Sequence, residues 1–332
     1  MRTNELRDSG GLFGAWSRRH EEYNWRPHPS YALFPFIEGS PNPEFAKTLA
    51  ITLEIHGSAT PTQGADLKRA LSAWVLLGGI GSRTRRGCGS LFLKASNPQL
   101  LTCDQLMAAV KSVEGNHRPW GIPRLKDAAA LRPMLANPMP HWQCWLGAVS
   151  YLYSFRQIGH GRISMGSMSN WPETDAIRRQ AGGRYRNGPR SAASYPDYYP
   201  RADLGLPIGF EFKDMPAPPK HTLAAAGREM TRMGSPIITK ALPLDENQSD
   251  ALILVLDAPH VWDRNAPEVK LEPGGVTVSK VSGQRDAGGN PLPDLTTASF
   301  AGPLRVGATT YATAREAFVA YVKTQRFTEV II

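Results

Sequence analysis

The feature that most constrains this chain is a run of glycines and arginines, residues 76–91, between two apolar segments. Glycine permits positive φ and close approach of the backbone to another group. Arginine brings a permanent charge and a planar fork of donors that matches phosphate. The run therefore predicts a tight loop that holds a polyanion, although a simple connecting turn with solvated arginines is the alternative. The candidate binding residues are Gly79, Gly81, Arg83, Arg85, Arg86, Gly87 and Gly89.

The run does not match the familiar nucleotide-binding loops. A Walker loop requires Gly-Lys-Ser/Thr at its end, whereas Gly87 is followed by Cys88. The dinucleotide pattern requires a third glycine at the position that Thr84 occupies. An extended nucleic acid is therefore favoured over a mononucleotide.

A second stretch, residues 156–201, combines many arginines with aromatic side chains and few acids. Cations that follow phosphates and rings that stack on bases suit a single-stranded nucleic acid. Composition alone does not decide between this interpretation and a solvated basic loop. Within the stretch, Asn170 is expected to cap a short helix with Glu173 reaching back, and Trp171 is a candidate packing anchor at the helix entry.

Periodicity predicts a mixed α and β chain. Residues 115–140 are rich in proline and turn residues, and we interpret them as a linker or an insertion. The expected helices cover 66–77, 104–113, 142–156 and 313–325, and the expected strands cover 49–56, 91–93, 205–213, 236–242, 251–256 and 275–281.

Composition excludes several classes of protein. The chain has 332 residues and a net charge of +9, which favours polyanionic partners. Its three cysteines form no Cys-x-x-Cys, and its histidines show no i,i+4 pair, so neither a disulfide framework nor a metal site or other cofactor is expected. We find no signal peptide and no apolar run long enough to span a membrane, which favours a cytoplasmic protein without a membrane partner.

Three motifs in this order resemble the RAMP superfamily of CRISPR proteins, and within it the first-subunit family of the type III-B (Cmr) effector complexes. The glycine-rich signature of that family is similar to residues 76–91. Its Trp-Pro-Glu-x-Asp-x-Ile-Arg segment is similar to residues 170–179. Its Gly-Leu-Pro-Ile and Arg-x-x-Ser-Pro pair is similar to residues 204–210 and 232–237. The resemblance covers roughly residues 30–260.

The resemblance implies tandem ferredoxin-like (RRM-like) domains, residues 1–115 and 116–332. The opening strand and helix of the first domain have no counterpart before Tyr31, so this domain is expected to be incomplete. Either the chain is a fragment or split product, or another polypeptide or a swapped strand covers the sheet edge. The implied function is that of a non-catalytic RNA-binding subunit of a Cmr complex, which contacts guide RNA and single-stranded target RNA near the guide 3′ end beside other subunits. The second domain would contribute Arg162, Trp171, Arg178, Arg179, Arg232 and Ser235.

Two other functions stay open at the level of sequence. The first is a metal-independent endoribonuclease of the same superfamily that processes guide precursors. Acid–base cleavage needs a histidine near the 2′-hydroxyl, and His160 is a better candidate than His56 or His117, with a solvated loop histidine as the plain alternative. The second is a basic structural protein without a role in RNA binding.

Overall fold

The computed structural model describes residues 31–32, 52–92, 100–111, 124–133, 138–157, 159–161, 169–182, 199–212, 216–226, 232–261, 268–274, 276–278 and 302–329. Within these ranges the chain forms five α-helices and antiparallel sheets, which confirms the α+β class. The helices are α1 (Pro61–Leu77), α2 (Cys103–Lys111), α3 (His141–Arg156), α4 (Glu173–Gln180) and α5 (Ala314–Thr324). The strands are β1 (Arg124–Pro133), β2 (Met139–Pro140), β3 (Ile208–Phe210), β4 (His221–Ala226), β5 (Ile237–Pro243), β6 (Gln248–Asp257), β7 (Glu268–Glu272), β8 (Val276–Val278), β9 (Arg305–Val306), β10 (Thr309–Thr310) and β11 (Phe327–Glu329).

Helix α1 begins five residues before the predicted start at Asp66. Pro61 occupies its first turn, where a missing N–H costs nothing. Thr60 and Gln63 form a reciprocal capping box, with side-chain hydrogen bonds of 2.9 and 3.3 Å to each other's backbone N–H groups. The sequence signal for this start is therefore Thr-Pro-x-Gln rather than the onset of the apolar stripe.

The sheet around β6 has an interleaved order. β6 pairs antiparallel with β1, with Leu131 opposite Ile253. On its other edge β6 forms a hairpin with β5, in which the Leu256 N–H donates to the Pro236 carbonyl at 2.9 Å. β1 pairs in turn with β11. The spatial order β11-β1-β6-β5 thus arises from the chain order β1-α3-β5-β6-α5-β11, with the short β2 beside the start of β6.

A second antiparallel sheet has the order β3-β4-β7-β8. Alternate side chains on one of its faces, such as Phe210 and Leu223, are buried in a core that also includes Ile177 of α4. On the opposite face of β3, β4 and β7 the side chains are small or charged. Among the described residues that face carries no aromatic ring on which a base could stack: it consists of Gly209, Thr222, Ala224, Ala226, Glu268, Lys270 and Glu272.

Helix α5 is fixed at its start and along its inner face. Thr313 and Glu316 form a second capping box, which agrees with the predicted start of this helix. Phe318 and Val322 are fully buried. Arg315, also buried, pairs with Asp203 on the 3-10 turn Pro200–Leu204. This ion pair ties the helix to a segment more than a hundred residues earlier.

The described residues group into two compact units. Unit 1 draws on residues 1–109, 137–153 and 239–252, and unit 2 draws on residues 110–136, 154–238 and 253–332. Strands β5 and β6 contribute residues to both units. The predicted domain boundary near residue 115 falls within 112–123, outside the described residues, so that boundary stays a prediction.

Three predictions about individual elements are wrong. Residues 52–56 and 91–92 are not strands, and Leu53 and Ile55 are about half exposed because no described strand covers their apolar face. The remainder of these two predicted strands, 49–51 and 93, lies outside the described residues. Part of the predicted linker 115–140 is instead β1, which is stabilised by β6 and β11 on its two edges rather than by its own alanine-rich sequence.

No helix in the described part of the chain has the length and apolar character needed to cross a bilayer.

Candidate nucleic-acid interface

The glycine–arginine loop, residues 78–90, lies in unit 1 directly after α1. Gly78 ends the helix, as the sequence predicts, and its N–H donates to the Trp74 carbonyl at 3.0 Å. The Ile80 N–H donates to the Gly89 carbonyl at 2.9 Å and closes the base of the loop. Residues 84–86 form a single 3-10 turn within it. The loop is therefore a folded element with its own hydrogen bonds.

The glycines of this loop serve two different purposes. Gly89 has a φ of +67°, and a Cβ there would lie 1.8 Å from the Ile80 carbonyl oxygen. Gly87 has a φ of +76°, and its Cβ would lie 2.5 Å from Cδ1 of Trp145 on α3. The protein's own packing therefore requires both. Gly81 differs, because it is exposed, has a φ of +94°, and a Cβ there would meet no described atom within 4 Å, so its backbone is open to an approaching group.

The three arginines are also not equivalent. Arg86 is buried, its carbonyl accepts from Nε1 of Trp145, and its guanidinium lies 6.0 Å from the Tyr31 ring centroid. Arg85 is half-buried, and desolvation lowers its pKa. Arg83 is half-buried as well, but it makes no ion pair or side-chain hydrogen bond within the described part of the chain. Arg83 is therefore the arginine of this loop best placed to take an external anion.

Open backbone donors accompany Arg83. The N–H groups of Gly81, Ser82 and Arg83 find no acceptor among the described residues. Both Gly81 and Arg83 have positive φ, with a φ of +62° at Arg83. Successive N–H groups in a turn of this kind can converge on an anion. With the guanidinium of Arg83 they could bind one phosphate by backbone and side chain together.

Lys240 of β5 lies beneath the start of the loop and was missed by sequence reasoning. Its side chain is fully buried, and Nζ donates to the Gly78 carbonyl at 3.1 Å and to the Val75 carbonyl at 3.4 Å. Burial lowers its pKa to about 8. The only signal in the sequence is a charged residue inside an apolar strand, Ile237–Pro243.

Cys88 in the same loop is not an activated thiol. Burial raises its pKa to about 11, although Arg83 and Arg86 act in the opposite direction. The thiolate is the reactive form of cysteine, and this thiol stays protonated near neutral pH. We therefore assign no chemistry to it.

The predicted binding residues of unit 2 lie mostly inside the protein. Trp171 is fully buried, donates from Nε1 to the Arg156 carbonyl at 3.0 Å and packs edge-on against Phe155. This position fits the packing anchor rather than a base-stacking ring. Arg178 is buried too, with Asp175 at 3.7 Å and the Phe212 ring centroid at 4.9 Å.

The remaining predicted residues are scattered. Arg179 is half-buried, and Ser235 accepts from the Ile237 N–H at 3.3 Å. Arg232 is exposed and has no partner within the described residues. Arg162 lies outside the described residues. Of the residues predicted for the second domain, Arg232 is thus the one whose charge faces solvent and pairs with no described group.

The predicted capping role of Glu173 is wrong. Helix α4 starts after Pro172 without a side-chain cap, and the Glu173 carboxylate is fully buried. It accepts the backbone N–H of Arg201 at 2.7 Å. Burial raises the pKa of Glu173, and the nearby Arg201 guanidinium acts against this rise. Glu173 therefore joins α4 to the Pro200–Leu204 turn.

Two of the described histidines bear on possible catalysis: His160, which the sequence suggests, and His260, which it does not. His160 stacks on Phe155 and donates from Nε2 to the Pro303 carbonyl at 2.9 Å, and burial lowers its pKa. His160 is therefore a half-buried histidine with a packing role. His260 was not singled out from sequence, but its Nδ1 lies 2.8 Å from the Asp203 carboxylate, which is buried. No local sequence motif predicts this pair, because its members lie 57 positions apart in the chain.

The described residues contain no group of three or more His, Cys, Asp or Glu side chains that could hold a metal ion. Comparison with models of protein families, with curated proteins and with solved structures finds no match for this chain.

Proposed function

We propose that this protein is a non-catalytic RNA-binding subunit of a type III-B CRISPR (Cmr) effector complex. In this role it contacts guide RNA, target RNA or both near the guide 3′ end, beside other subunits of the complex. The observation that carries the proposal is the open side of the glycine–arginine loop. There, backbone donors at Gly81 and Ser82 adjoin the guanidinium of Arg83, which no described group pairs.

The chemistry of this open side suits a polymer of phosphates. Backbone N–H groups and one guanidinium recognise phosphate oxygens and carry no information about base identity. The face of β3, β4 and β7 that carries small and charged side chains offers no aromatic ring for base stacking among the described residues. Binding in this manner would be largely independent of sequence, as expected of a subunit in a complex where base pairing selects the target.

The topology around β6 supports the fold that the proposal requires. The chain order β1-α3-β5-β6-α5-β11 is a β-α-β-β-α-β arrangement in which each β-α-β unit has a strand of the other between its own strands. We propose that this is the ferredoxin-like element of the second domain. The residues between α3 and β5, which include β3 and β4, would then be an insertion into it.

RNA binding by the purified chain tests the proposal. We would measure the affinity for a fluorescent single-stranded RNA from about 50 to about 200 mM salt. Arg83→Ala is expected to weaken binding roughly tenfold, the effect of losing one charge-assisted hydrogen bond. Arg305→Ala is the matched control, because Arg305 is exposed, has no partner among the described residues and lies in unit 2.

The two variants remove the same charge from different places. If Arg83→Ala and Arg305→Ala weaken binding equally, general positive charge rather than the loop accounts for it. If neither the wild-type chain nor the variants bind RNA, the proposed function is wrong.

One observation keeps the endoribonuclease alternative open. The Asp203 carboxylate orients His260, whose side chain is about one-third exposed. A histidine held by a buried carboxylate is a common general base. The same RNA should be inspected for cuts, with His260→Ala and His160→Ala as variants. Cuts that persist in His160→Ala and disappear in His260→Ala would assign the protein to the enzyme class.

A further inference from the structure

We propose that Lys240 is a positioning residue for RNA binding: its buried ammonium holds the start of the glycine–arginine loop and cancels the negative end of α1 beneath it. This inference rests on the proposed function. It adds a residue that makes no contact with RNA itself.

The ammonium lies where it can both hold the start of the loop and offset the negative charge at the end of α1. Nζ lies 3.4 Å from the carbonyl oxygen of Val75, in the last turn of α1, and 3.1 Å from that of Gly78, the residue that caps the helix. The carbonyls at a helix C-terminus have no partners within the helix and carry partial negative charge. Without a cation, this charge would lie at the base of a loop that is proposed to hold phosphates.

The neighbouring residue of β5 supports the other end of the loop. The carbonyl oxygen of Thr239 would lie 2.8 Å from a Cβ on Gly87, so β5 touches the loop there as well. One short segment of β5 therefore underlies both ends of the loop. A change at Lys240 therefore alters a strand that contacts the loop at Gly78 and near Gly87.

The energetic cost of this arrangement argues against a merely structural role. Lys240 is fully buried, and the groups that accept its hydrogen bonds are two carbonyls rather than a carboxylate. Burying an ammonium without a carboxylate partner carries a desolvation cost that two carbonyl hydrogen bonds offset only in part. Residues that oppose stability in this way are concentrated at functional sites.

The charges around Lys240 are few within the described part of the chain. From α1 it meets the two carbonyls, and from the start of α2 the Cys103 thiol acts on its pKa. Asp250 on the adjacent β6 is not among the groups that shift it. Because its pKa lies at about 8, Lys240 loses its charge within the pH range in which folded proteins are studied.

The test compares the wild-type chain with Lys240→Met and Lys240→Arg, using poly(A) as the probe because adenine does not titrate in this range. Affinity is measured from about pH 7 to about pH 9, and thermal melting is recorded for each protein. The wild-type affinity should fall roughly fivefold as the pH rises through the pKa of Lys240. Lys240→Met should bind weakly at every pH while keeping a cooperative melting transition, whereas Lys240→Arg should bind well with a flat profile.

Each other outcome has a definite meaning. If Lys240→Met binds as well as the wild-type chain, or if the wild-type affinity does not change across this pH range, Lys240 is an ordinary packing residue and the inference is wrong. If Lys240→Arg does not fold, the wild-type and Lys240→Met profiles still decide, because only the former should depend on pH near 8. If the wild-type chain does not bind poly(A), the proposed function itself fails.

Discussion

Gly89 and Gly81 both have positive φ, but their surroundings differ. At Gly89 a side chain would collide with the Ile80 carbonyl, which belongs to the residue whose N–H closes the base of the loop. At Gly81 the space is open among the described atoms. The first glycine is therefore a requirement of the fold, and the second leaves the backbone accessible to a ligand.

We expect Gly89→Ala to lower the free energy of unfolding by at least about 2 kcal/mol, because both the steric collision and the left-handed φ oppose alanine. Gly64→Ala is the control. Gly64 lies within α1, has ordinary φ and has no described atom within 4 Å of where its Cβ would be, so alanine should stabilise the protein by about 0.5 kcal/mol. Urea denaturation measures both. Equal effects of the two changes would contradict the packing role of Gly89.

The pKa of Lys240 makes stability depend on pH in a defined direction. Its pKa is about 8 in the folded protein and about 10.5 in the unfolded chain, so between these values the unfolded chain binds more protons. The free energy of unfolding should therefore rise with pH across this window. The full shift corresponds to roughly 3 kcal/mol.

Urea denaturation of the wild-type chain and Lys240→Met at several pH values measures this contribution. The wild-type chain should gain stability relative to the variant as the pH rises above 8. Other titrating groups are common to both proteins and cancel in the difference. A difference that is constant with pH would show that Lys240 keeps an ordinary pKa in the folded protein.

At the scale of elements, α5 depends on a buried ion pair. Asp203 has no exposed side-chain surface, accepts from Arg315 and lies 2.8 Å from His260. The Arg315 guanidinium also donates to the carbonyls of Ala258 and Pro259. Helix α5 is thus held to two separate segments of unit 2.

We expect Asp203→Asn to lower the free energy of unfolding by about 3 kcal/mol, because the Arg315 charge would then be buried without a carboxylate. Lys323→Ala is the control. Lys323 and Glu329 form an ion pair 2.9 Å long with both side chains nearly half exposed, so its loss should cost less than about 1 kcal/mol. Thermal or urea denaturation compares the two. Similar losses would show that the buried pair is no stronger than the exposed one.

Helices are predicted from this sequence more closely than strands. The start of α5 follows from Thr313 and Glu316, which act within one turn, and the end of α1 follows from Gly78. Strand β1 depends instead on β6 and β11, far away in the sequence, and its alanines carry little intrinsic preference for a strand. Capping residues within one turn predict where a helix begins or ends, whereas a strand depends on pairing with segments that are distant in sequence.

The sequence predicts the candidate site only in part. The glycine–arginine pattern predicts a folded loop, but it does not distinguish Arg83 from Arg86, because that difference comes from Tyr31 and Trp145. Burial likewise makes Trp171 a core residue rather than a base-stacking ring. Lys240 and the pair of Asp203 and His260 lack any sequence motif. Their roles are visible only once the chain is folded.

At the scale of the whole molecule, the net charge of +9 attracts RNA whichever surface it meets. The salt dependence of affinity separates a local site from a general attraction. For single strands the slope of log K against log salt is about −0.7 for each phosphate neutralised. A site confined to the open side of the glycine–arginine loop, where Arg83 meets one phosphate, should give a slope of about −0.7.

Affinity measured over the salt series provides this slope directly. A value steeper than about −2 would show that basic residues beyond the loop take part in binding. Arg83→Ala should make the slope shallower by about 0.7, and Arg305→Ala should leave it unchanged.

The anchoring of the glycine–arginine loop has a consequence for engineering. Lys240 fastens its start at Gly78, Trp145 fastens Arg86, and the bond between Ile80 and Gly89 joins the two arms. None of these contacts uses the side chains of residues 81–85. Changes to the side chains of Ser82 and Arg83 that tolerate the positive φ at Arg83 should therefore alter which anions the loop binds without disturbing the contacts beneath it.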